Sequence, residues 1–491
     1  MSQQFVNRKK ELEIFEEEYG RREASFFIIY GRRRIGKSEL ILKFIKGKPS
    51  IYFVCSTEGD AENIKQFQIK AAEFLNDKEF STISFDNWYS LLSSLIKHKN
   101  FKTDRKVVIV FDEFPYLITS NPNIPSIFQK IWDEMLSKEN IMLILCGSYV
   151  SVMERKVIAK KSPLYGRRTA NLLLNPIDFP YLKEFLPKYR IEDLIKVWSF
   201  VGGVPAYLKK IDPRFNFWDN ILLNIKKGSY LYEEAEILLR DEFKEPRNYK
   251  LILKSISLGN RTLGKICNFT GLDKSMVSKY LEVLKEVKIV KELIPVTESK
   301  KFKGRLYNIV DPYFNFWFRF VYPNKIDIEA HREEVVTENI KREFQNYISF
   351  IFEVLVEELI RKKYLFERMF FTQIGKQWGK IKGKPKGENT YEIDILAINE
   401  KTKEILFGEC KWKDKINAQK LCKELAEKSQ WVQWHNEKRK EAFAVFAKSF
   451  SKKIKEFKDR KVYCFDLRDI EKLLKRVEST SWCWKAPKKL S

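Results

Sequence analysis

The sequence predicts an α/β protein in three parts: a parallel sheet with a helical lid, a winged helix-turn-helix, and a second α/β domain centred on a strand hairpin. Three observations predict it. Short apolar runs at 25–30, 106–111 and 141–146 end in Gly or acidic residues, as buried parallel strands do. Residues 250–310 read as helix, helix, turn, helix and two strands. Two alternating runs, 391–399 and 404–411, lie between amphipathic helical stretches. The length of 491 residues suits about three domains. Polar, Pro-containing stretches near 241–249 (DEFKEPRNY) and 322–328 (YPNKIDI) mark the boundaries, giving segments 1–240, 241–320 and 321–491.

Composition narrows the class. Hydrophobic residues make up 44% and charged residues 32%, which suits folded domains. No run reaches the roughly 18 apolar residues of a membrane helix, so no membrane partner is expected. The start, MSQQFVNRKKELEIF, lacks the apolar centre of a signal peptide, so a cytoplasmic protein is expected. Cys55, Cys146, Cys267, Cys410, Cys422, Cys464 and Cys483 are scattered and never in CxxC spacing, which argues against a disulfide framework or a thiolate zinc site. His98, His331 and His435 are too dispersed for a His-ligated metal centre. The net charge is +26, and the three segments carry +8, +7 and +11. The 80-residue middle segment is the densest. A polyanion is the natural partner, since neutralising phosphates releases counterions; a Lys-rich solvated surface is the plainer reading.

The first strand leads into Gly31-Arg32-Arg33-Arg34-Ile35-Gly36-Lys37-Ser38 and then an amphipathic helix, matching GxxxxGK[ST] without deviation. This is the loop of a P-loop NTPase. The glycines let backbone N–H groups face a β-phosphate, Lys37 brings a point charge to the β- and γ-phosphates, and Ser38 offers a hydroxyl to Mg²⁺. The second strand ends in Asp112-Glu113, 75 residues beyond Lys37. Asp112 is expected to hold Mg²⁺ through water and Glu113 to polarise the attacking water. The third strand ends in Gly147-Ser148, a polar position beside the γ-phosphate. Arg167 and Arg168, in YGRR, read either as surface charges or as site residues. Gly202-Gly203-Val204-Pro205 reads alone as a turn before a helix.

Together FVNRKKELEIF, GRRRIGKS, FDEF, CGSY, SPLYGRRT and GGVPAYL resemble the archaeal ATPase family, an AAA+-like group placed with the STAND NTPases, over residues 1 to about 240. The resemblance implies ATP and Mg²⁺ as cofactors, Asn7 and Arg8 near the adenine, and Ser148 as a sensor. It implies that Arg167 or Arg168 reaches a γ-phosphate, in cis or from a neighbouring copy of a homo-oligomer, and that Pro205 in the lid packs near the base.

In the middle segment Asp273 suits an N-cap. Met276, Val277, Tyr280, Leu281, Leu284 and Val287 form the expected buried stripe of the recognition helix, with Lys274, Ser275, Ser278 and Lys279 on other faces. The following hairpin carries a basic tip of Lys300, Lys301, Lys303 and Arg305. Lys274, Ser278, Lys279, Lys301 and Lys303 are the expected contacts to nucleic acid, DNA before RNA, and to its backbone rather than its bases. A protein-docking or hinge module is the competing reading.

In the last segment Asp394 lies on one strand of the hairpin and Glu409-Cys410-Lys411 on the other. Glu409 and Lys411 share a face because the side-chain period is two. Asp394 and Glu409 are expected to chelate Mg²⁺, with Lys411 orienting or deprotonating a water that attacks a phosphodiester. Glu353 on the upstream helix is the expected third carboxylate, with Glu357 in reserve. The plainer reading is a hairpin with an ordinary ion pair. Helix, strand, D…ExK hairpin and helix resemble the PD-(D/E)xK restriction-endonuclease-like fold. DPYFNFWFRFVYP, EIDILA and GECKW resemble the C-terminal domain of unassigned function in archaeal ATPases, considered nuclease-like. The loop 379–389, with Lys380, Lys382, Lys384 and Lys386, reads as a nucleic-acid grip or a solvated loop. Two functions follow: an ATP-driven DNA-processing or defence enzyme, or a non-cutting STAND-type regulator.

Overall fold

The computed structural model describes residues 6–299, 301–385 and 387–480. Lys300, Lys386 and Cys483 lie outside them. The chain packs as two compact units, one running to Ile177 and including Val204–Ala206, the other formed by Asp178–Gly203 and the chain from Tyr207 onward.

The first unit is a five-stranded parallel sheet of β1 (Ser25–Tyr30), β2 (Ser50–Val54), β3 (Val107–Asp112), β4 (Ile141–Gly147) and β5 (Ala170–Leu173), in the order β2-β3-β4-β1-β5. Every residue of β1, β3 and β4 is buried, as expected where helices cover both faces. The alternation along β1 assigns the faces. Phe27 and Ile29 pack with Phe15 of helix α1 (Lys9–Tyr19) and with Leu40, Ile41 and Phe44 of α2 (Lys37–Ile45). Phe26 and Ile28 pack with Phe67 of α3 (Asp60–Leu75), Trp88 of α4 (Trp88–Lys97) and Phe128 of α5 (Ile124–Glu134). Because all strands run one way, Tyr30 pairs with Gly147 and Val54 with Asp112, so the loops after β1, β3 and β4 leave from one sheet edge. Ligands of open α/β sheets bind at that edge.

In the second unit, α6 (Ile191–Val201), α7 (Phe217–Ile225) and α8 (Tyr230–Glu242) are the lid helices of the sequence reading. They turn to later parts of the chain: Phe200 of α6 meets Phe316 at 4.6 Å, and the Tyr347 hydroxyl donates to the Ser199 carbonyl of α6 at 2.6 Å. Phe217 of α7 meets Phe344 at 5.2 Å, the Tyr313 hydroxyl donates to the Leu231 carbonyl of α8 at 2.6 Å, and Tyr207, between α6 and α7, meets Tyr313 at 4.6 Å. Three helices, α9 (Arg247–Ser257), α10 (Leu263–Thr270) and α11 (Lys274–Glu286), precede an antiparallel pair, β6 (Val290–Leu293) and β7 (Leu306–Ile309). Asp273 caps α11 as expected, accepting from the Ser275 and Met276 N–H groups, both at 2.9 Å. Met276, expected in the buried stripe, is 39% exposed in the first turn of α11, whereas Val277 and Leu281 are buried.

Helix α12 (Glu333–Arg361) then lies on a six-stranded mixed sheet formed from β8 (Gln373–Lys380), β9 (Thr390–Asn399), β10 (Glu404–Lys411), β12 (Lys440–Ala447), β14 (Glu456–Phe457) and β15 (Arg460–Phe465). Two short strands, β11 (Ile416–Asn417) and β13 (Phe450–Lys452), pair apart from it. The order is β14-β15-β12-β10-β9-β8, and Leu421, Cys422 and Leu425 of α13 (Ala418–Ser429) fill its core with Ile405 and Phe407. The run 370–375 is strand-like in sequence, but the strand begins at Gln373. Strand β8 runs on to Lys380, into the expected Gly/Lys loop, because it pairs with β9 as far as Thr390. The β6–β7 hairpin docks on it: the Thr297 N–H donates to Gln377 Oε1 at 3.2 Å, Trp378 Nε1–H to the Gly304 carbonyl at 3.1 Å, and Val296 joins the sheet's core. No helix among the described residues is long and apolar enough to cross a membrane.

Candidate functional site

The loop after β1 has the backbone its glycines permit. Gly31 has φ 152°, and a Cβ there would lie 2.4 Å from the Leu174 carbonyl oxygen. Gly36 is left-handed at φ 89° and starts α2, whose first N–H groups open toward the loop. Ile35 is buried beneath the loop. Lys37 is 5% exposed, and its ammonium donates to the carbonyls of Gly31 (2.9 Å) and Arg32 (3.0 Å). Burial lowers its pKa, against the opposing pull of Cys146, Glu113 and Asp112.

Asp112 is 2% exposed and fully engaged. Ser38 Oγ–H donates to its Oδ2 at 2.6 Å, the Tyr52 hydroxyl donates to the same oxygen at 2.5 Å, and the Glu113 N–H donates to Oδ1 at 2.9 Å. Glu113, at φ 54°, turns its carboxylate to Ser148, whose hydroxyl donates to Oε2 at 2.5 Å. Ser38, Asp112, Glu113 and Ser148 are therefore brought together as expected. For Tyr52 the sequence offers only a phenol hydroxyl in the short run SIYFV. Burial, with Asp112 beside it, pushes the phenol well above its ordinary pKa.

The other loop residues have structural partners. Arg33 donates to the hydroxyls of Tyr116 (3.0 Å) and Tyr149 (2.8 Å), just beyond Glu113 and Ser148. Arg8 is buried and donates to the carbonyls of Ile35 (3.1 Å) and Asn175 (2.8 Å), bracing the loop; Asn7 precedes it at φ 41°. Pro205 opens the helix Pro205–Leu208, and the Ala206 N–H lies 3.5 Å from the Arg34 carbonyl. Arg167 pairs with Asp133 at 3.0 Å, and Arg168 donates to the Ile158 carbonyl at 2.9 Å while lying 5.5 Å from the Tyr165 ring centroid. A buried ammonium, open helix N–H groups and a hydroxyl set on a carboxylate are the donors that a triphosphate and its Mg²⁺ require, so the loop fits both.

A second cluster sits on the mixed sheet. Asp394 Oδ2 accepts from the Cys410 N–H at 2.9 Å, and burial, then Glu353 and Glu409, push its pKa up to about 7. Lys376 of β8 bonds Glu353 at 2.9 Å, pairs closely with Glu392 and lies 3.8 Å from Asp394. Glu409 is held by Lys411 at 2.6 Å and by Lys428 of α13 at 2.9 Å. Glu353 shares Lys376 with Asp394, whereas Glu357 pairs with Arg361 at 2.7 Å. Lysines occupy the positions between the carboxylates, and no group of three or more His, Cys, Asp or Glu among the described residues is arranged to hold a metal ion. In this arrangement the residues do not fit the Mg²⁺ expected on Asp394 and Glu409, because Lys411 and Lys428 occupy the Glu409 carboxylate and Lys376 stands between Asp394 and Glu353. Burial lowers the Lys411 pKa, but Glu409 more than compensates and holds it raised, which suits orienting a group and not deprotonating one.

Residues 5–211 match a family described as an ATPase domain predominantly from Archaea. An uncharacterized protein of Methanocaldococcus jannaschii is 38% identical over 433 residues, spanning 87% of this chain and 92% of that one. The chain belongs to the archaeal ATPase family. Residues 317–424 of this archaeal ATPase match a second family, described as archaeal and bacterial proteins of unknown function. Among solved structures, the Walker-type ATPase of Pyrococcus abyssi is 22% identical with a TM-score of 0.47, covering 64% of this chain and 96% of its own. The ORC2 protein of Aeropyrum pernix is 14% identical with a TM-score of 0.42, covering 67% and 98%. The ATPase match contains the loop, Asp112, Glu113, Ser148, both arginines and Pro205; the second contains Glu353, Asp394, Glu409 and Lys411. Helices α9–α11 and the β6–β7 hairpin lie in neither. There Lys274, Lys279, Lys301 and Lys303 are exposed and Ser278 is half-buried. Lys380, Lys382 and Lys384 are exposed as well. The residues missing from the sequence reading are Tyr52, Lys376, Glu392 and Lys428.

Proposed function

We propose that this archaeal ATPase binds and hydrolyses ATP and uses the cycle to control two nucleic-acid-directed modules: a winged helix (α9–α11 with β6–β7) and a nuclease-like C-terminal domain. The observation that carries the reading is the Ser38–Asp112 and Glu113–Ser148 pairing around a buried Lys37. Lys37 would move its ammonium from the loop carbonyls to the β- and γ-phosphates. Ser38 would keep its proton on Asp112 and turn a lone pair to the cation, while Glu113 orients water at the γ-phosphate. Bound Mg²⁺ supplies charge neutralisation at the phosphate oxygens. Ser148, bonded to Glu113, would report the γ-phosphate to it. Pro205, beside the loop, would carry the nucleotide state into the lid, and Arg167 or Arg168 would leave its present partner to reach a γ-phosphate, in cis or from a neighbouring copy of a homo-oligomer.

At the second site Asp394, Glu409, Lys411 and Glu353 would act on a phosphodiester held by Lys274, Ser278, Lys279, Lys301 and Lys303, with DNA as the substrate. A second reading has its own support. The pairing of Glu353 with Lys376 and of Glu409 with Lys411 and Lys428 favours a domain that binds without cutting, in a STAND-type regulator. The deciding experiment incubates linear, circular and single-stranded DNA with Mg²⁺ or Mn²⁺, with and without ATP, beside Asp394→Ala and Lys411→Ala proteins. Cutting that both substitutions abolish supports the enzyme. Binding without cutting under every condition supports the regulator.

A further inference from the structure

The carboxylate of Asp112 is held by three donors from three places. Its Oδ1 takes the Glu113 N–H at 2.9 Å; its Oδ2 takes Ser38 at 2.6 Å and Tyr52 at 2.5 Å. Ser38 stands at the start of α2 and Tyr52 on β2, where Val54 pairs with Asp112 in parallel register. The Tyr52 ring, half-buried against the core that α1 and α2 share, reaches past that pair to the strand end. The two hydroxyls have different freedom. A serine hydroxyl has one proton and two lone pairs, so Ser38 can serve Asp112 and a cation together only if the carboxylate keeps its orientation. A neutral hydroxyl bonded to a charged oxygen makes one of the stronger hydrogen bonds available, and a short one inside a nearly buried site holds an angle well.

We propose that Tyr52 is a positioning residue for the divalent cation of the nucleotide, fixing the Asp112 carboxylate so that Ser38 and Asp112 face the cation together. Tyr52 touches neither nucleotide nor cation and acts through Asp112. The inference rests on the family's ATP-binding loop and adds to it a residue on a neighbouring strand.

The test is Tyr52→Phe, which keeps the ring and removes the hydroxyl, in the full chain. The affinity for a fluorescent ADP analogue is measured in EDTA and across a Mg²⁺ titration. In EDTA the affinity stays within about twofold of the parent, while the Mg²⁺ concentration that half-maximally tightens binding rises about tenfold. The same substitution on an Asp112→Asn background shifts the Mg²⁺ response no further, because its action runs through the missing charge. An unchanged Mg²⁺ response overturns the proposal. So does an equal loss in EDTA and in Mg²⁺, which marks a packing role, or a Tyr52 effect that survives Asp112→Asn. If the ATP-binding loop itself were misassigned, the parent protein would bind the analogue in neither condition, a result distinct from these.

Discussion

At the residue scale, space and charge set different limits. Gly31 has no room for a methyl group: Leu174 O and Ile35 Cδ1 lie 2.4 and 2.6 Å from where a Cβ would stand. Gly31→Ala should cost about 1–3 kcal/mol of stability, read by denaturant unfolding, and should abolish nucleotide binding as the loop is displaced. Asp394 gives a pH signature. Its folded pKa of about 7 lies above the ordinary 3.8, so between those values the folded chain holds a proton that the unfolded chain has released. Its contribution therefore weakens as pH rises from about 4 to 7 and is flat above. In chelator, Asp394→Asn should remove this part of the pH dependence and make the protein relatively more stable at pH 8 than at pH 5; a parallel pair of stability curves would refute the assignment. The phosphate loop and the Asp112-Glu113 pair were legible because their chemistry is tied to short spacings. Tyr52, Lys376 and Lys428 were not, because each gains its meaning from a partner 19 to 60 residues away in the chain.

At the element scale, the β6–β7 hairpin shows where sequence patterning stops. Its strands and basic tip follow from local composition, but its docking on β8 does not. That contact joins Thr297 to Gln377 and Gly304 to Trp378, and its apolar part is Val296 with the edge-on Phe302–Trp378 ring pair. Two exposed lysines, Lys301 and Lys303, remain at the tip while the arm beside them is packed on the sheet. Val296→Ala should lower stability by about 2 kcal/mol, measured by urea unfolding. It should also speed limited proteolysis within 296–305. A variant as stable and as resistant as the parent would show that the hairpin is not anchored there. The displaced start of β8 has the same origin: pairing with β9 overrides the apolar run that suggested a strand at 370–375.

At the scale of the whole molecule, the charge of +26 is the broadest constraint. Of this excess +18 lies beyond residue 240, with the three-helix module and the mixed sheet. If α11 and the hairpin tip grip a phosphate backbone, replacing Lys274, Lys279, Lys301 and Lys303 together with alanine should weaken DNA binding at every sequence tested. It should also flatten the plot of log affinity against log salt by up to about four units, near one per lost contact. An unaltered slope would move the nucleic-acid contact elsewhere. The fold class was readable from the sequence at this scale because strand runs and helical periods are local. The division of packing at Ile177 was not, because it depends on lid helices finding aromatic partners such as Phe316 and Tyr313 more than 100 residues later.

In the proposed function the loop, Asp112, Glu113 and Ser148 form a site that hydrolyses ATP. Its most direct test is Glu113→Gln, with ATP affinity and steady-state turnover measured on one preparation. In the proposed role Glu113 orients water and leaves the phosphates to the loop, so affinity should stay within a few-fold of the parent while turnover falls at least about 100-fold. Turnover near the parent's rate would contradict the account.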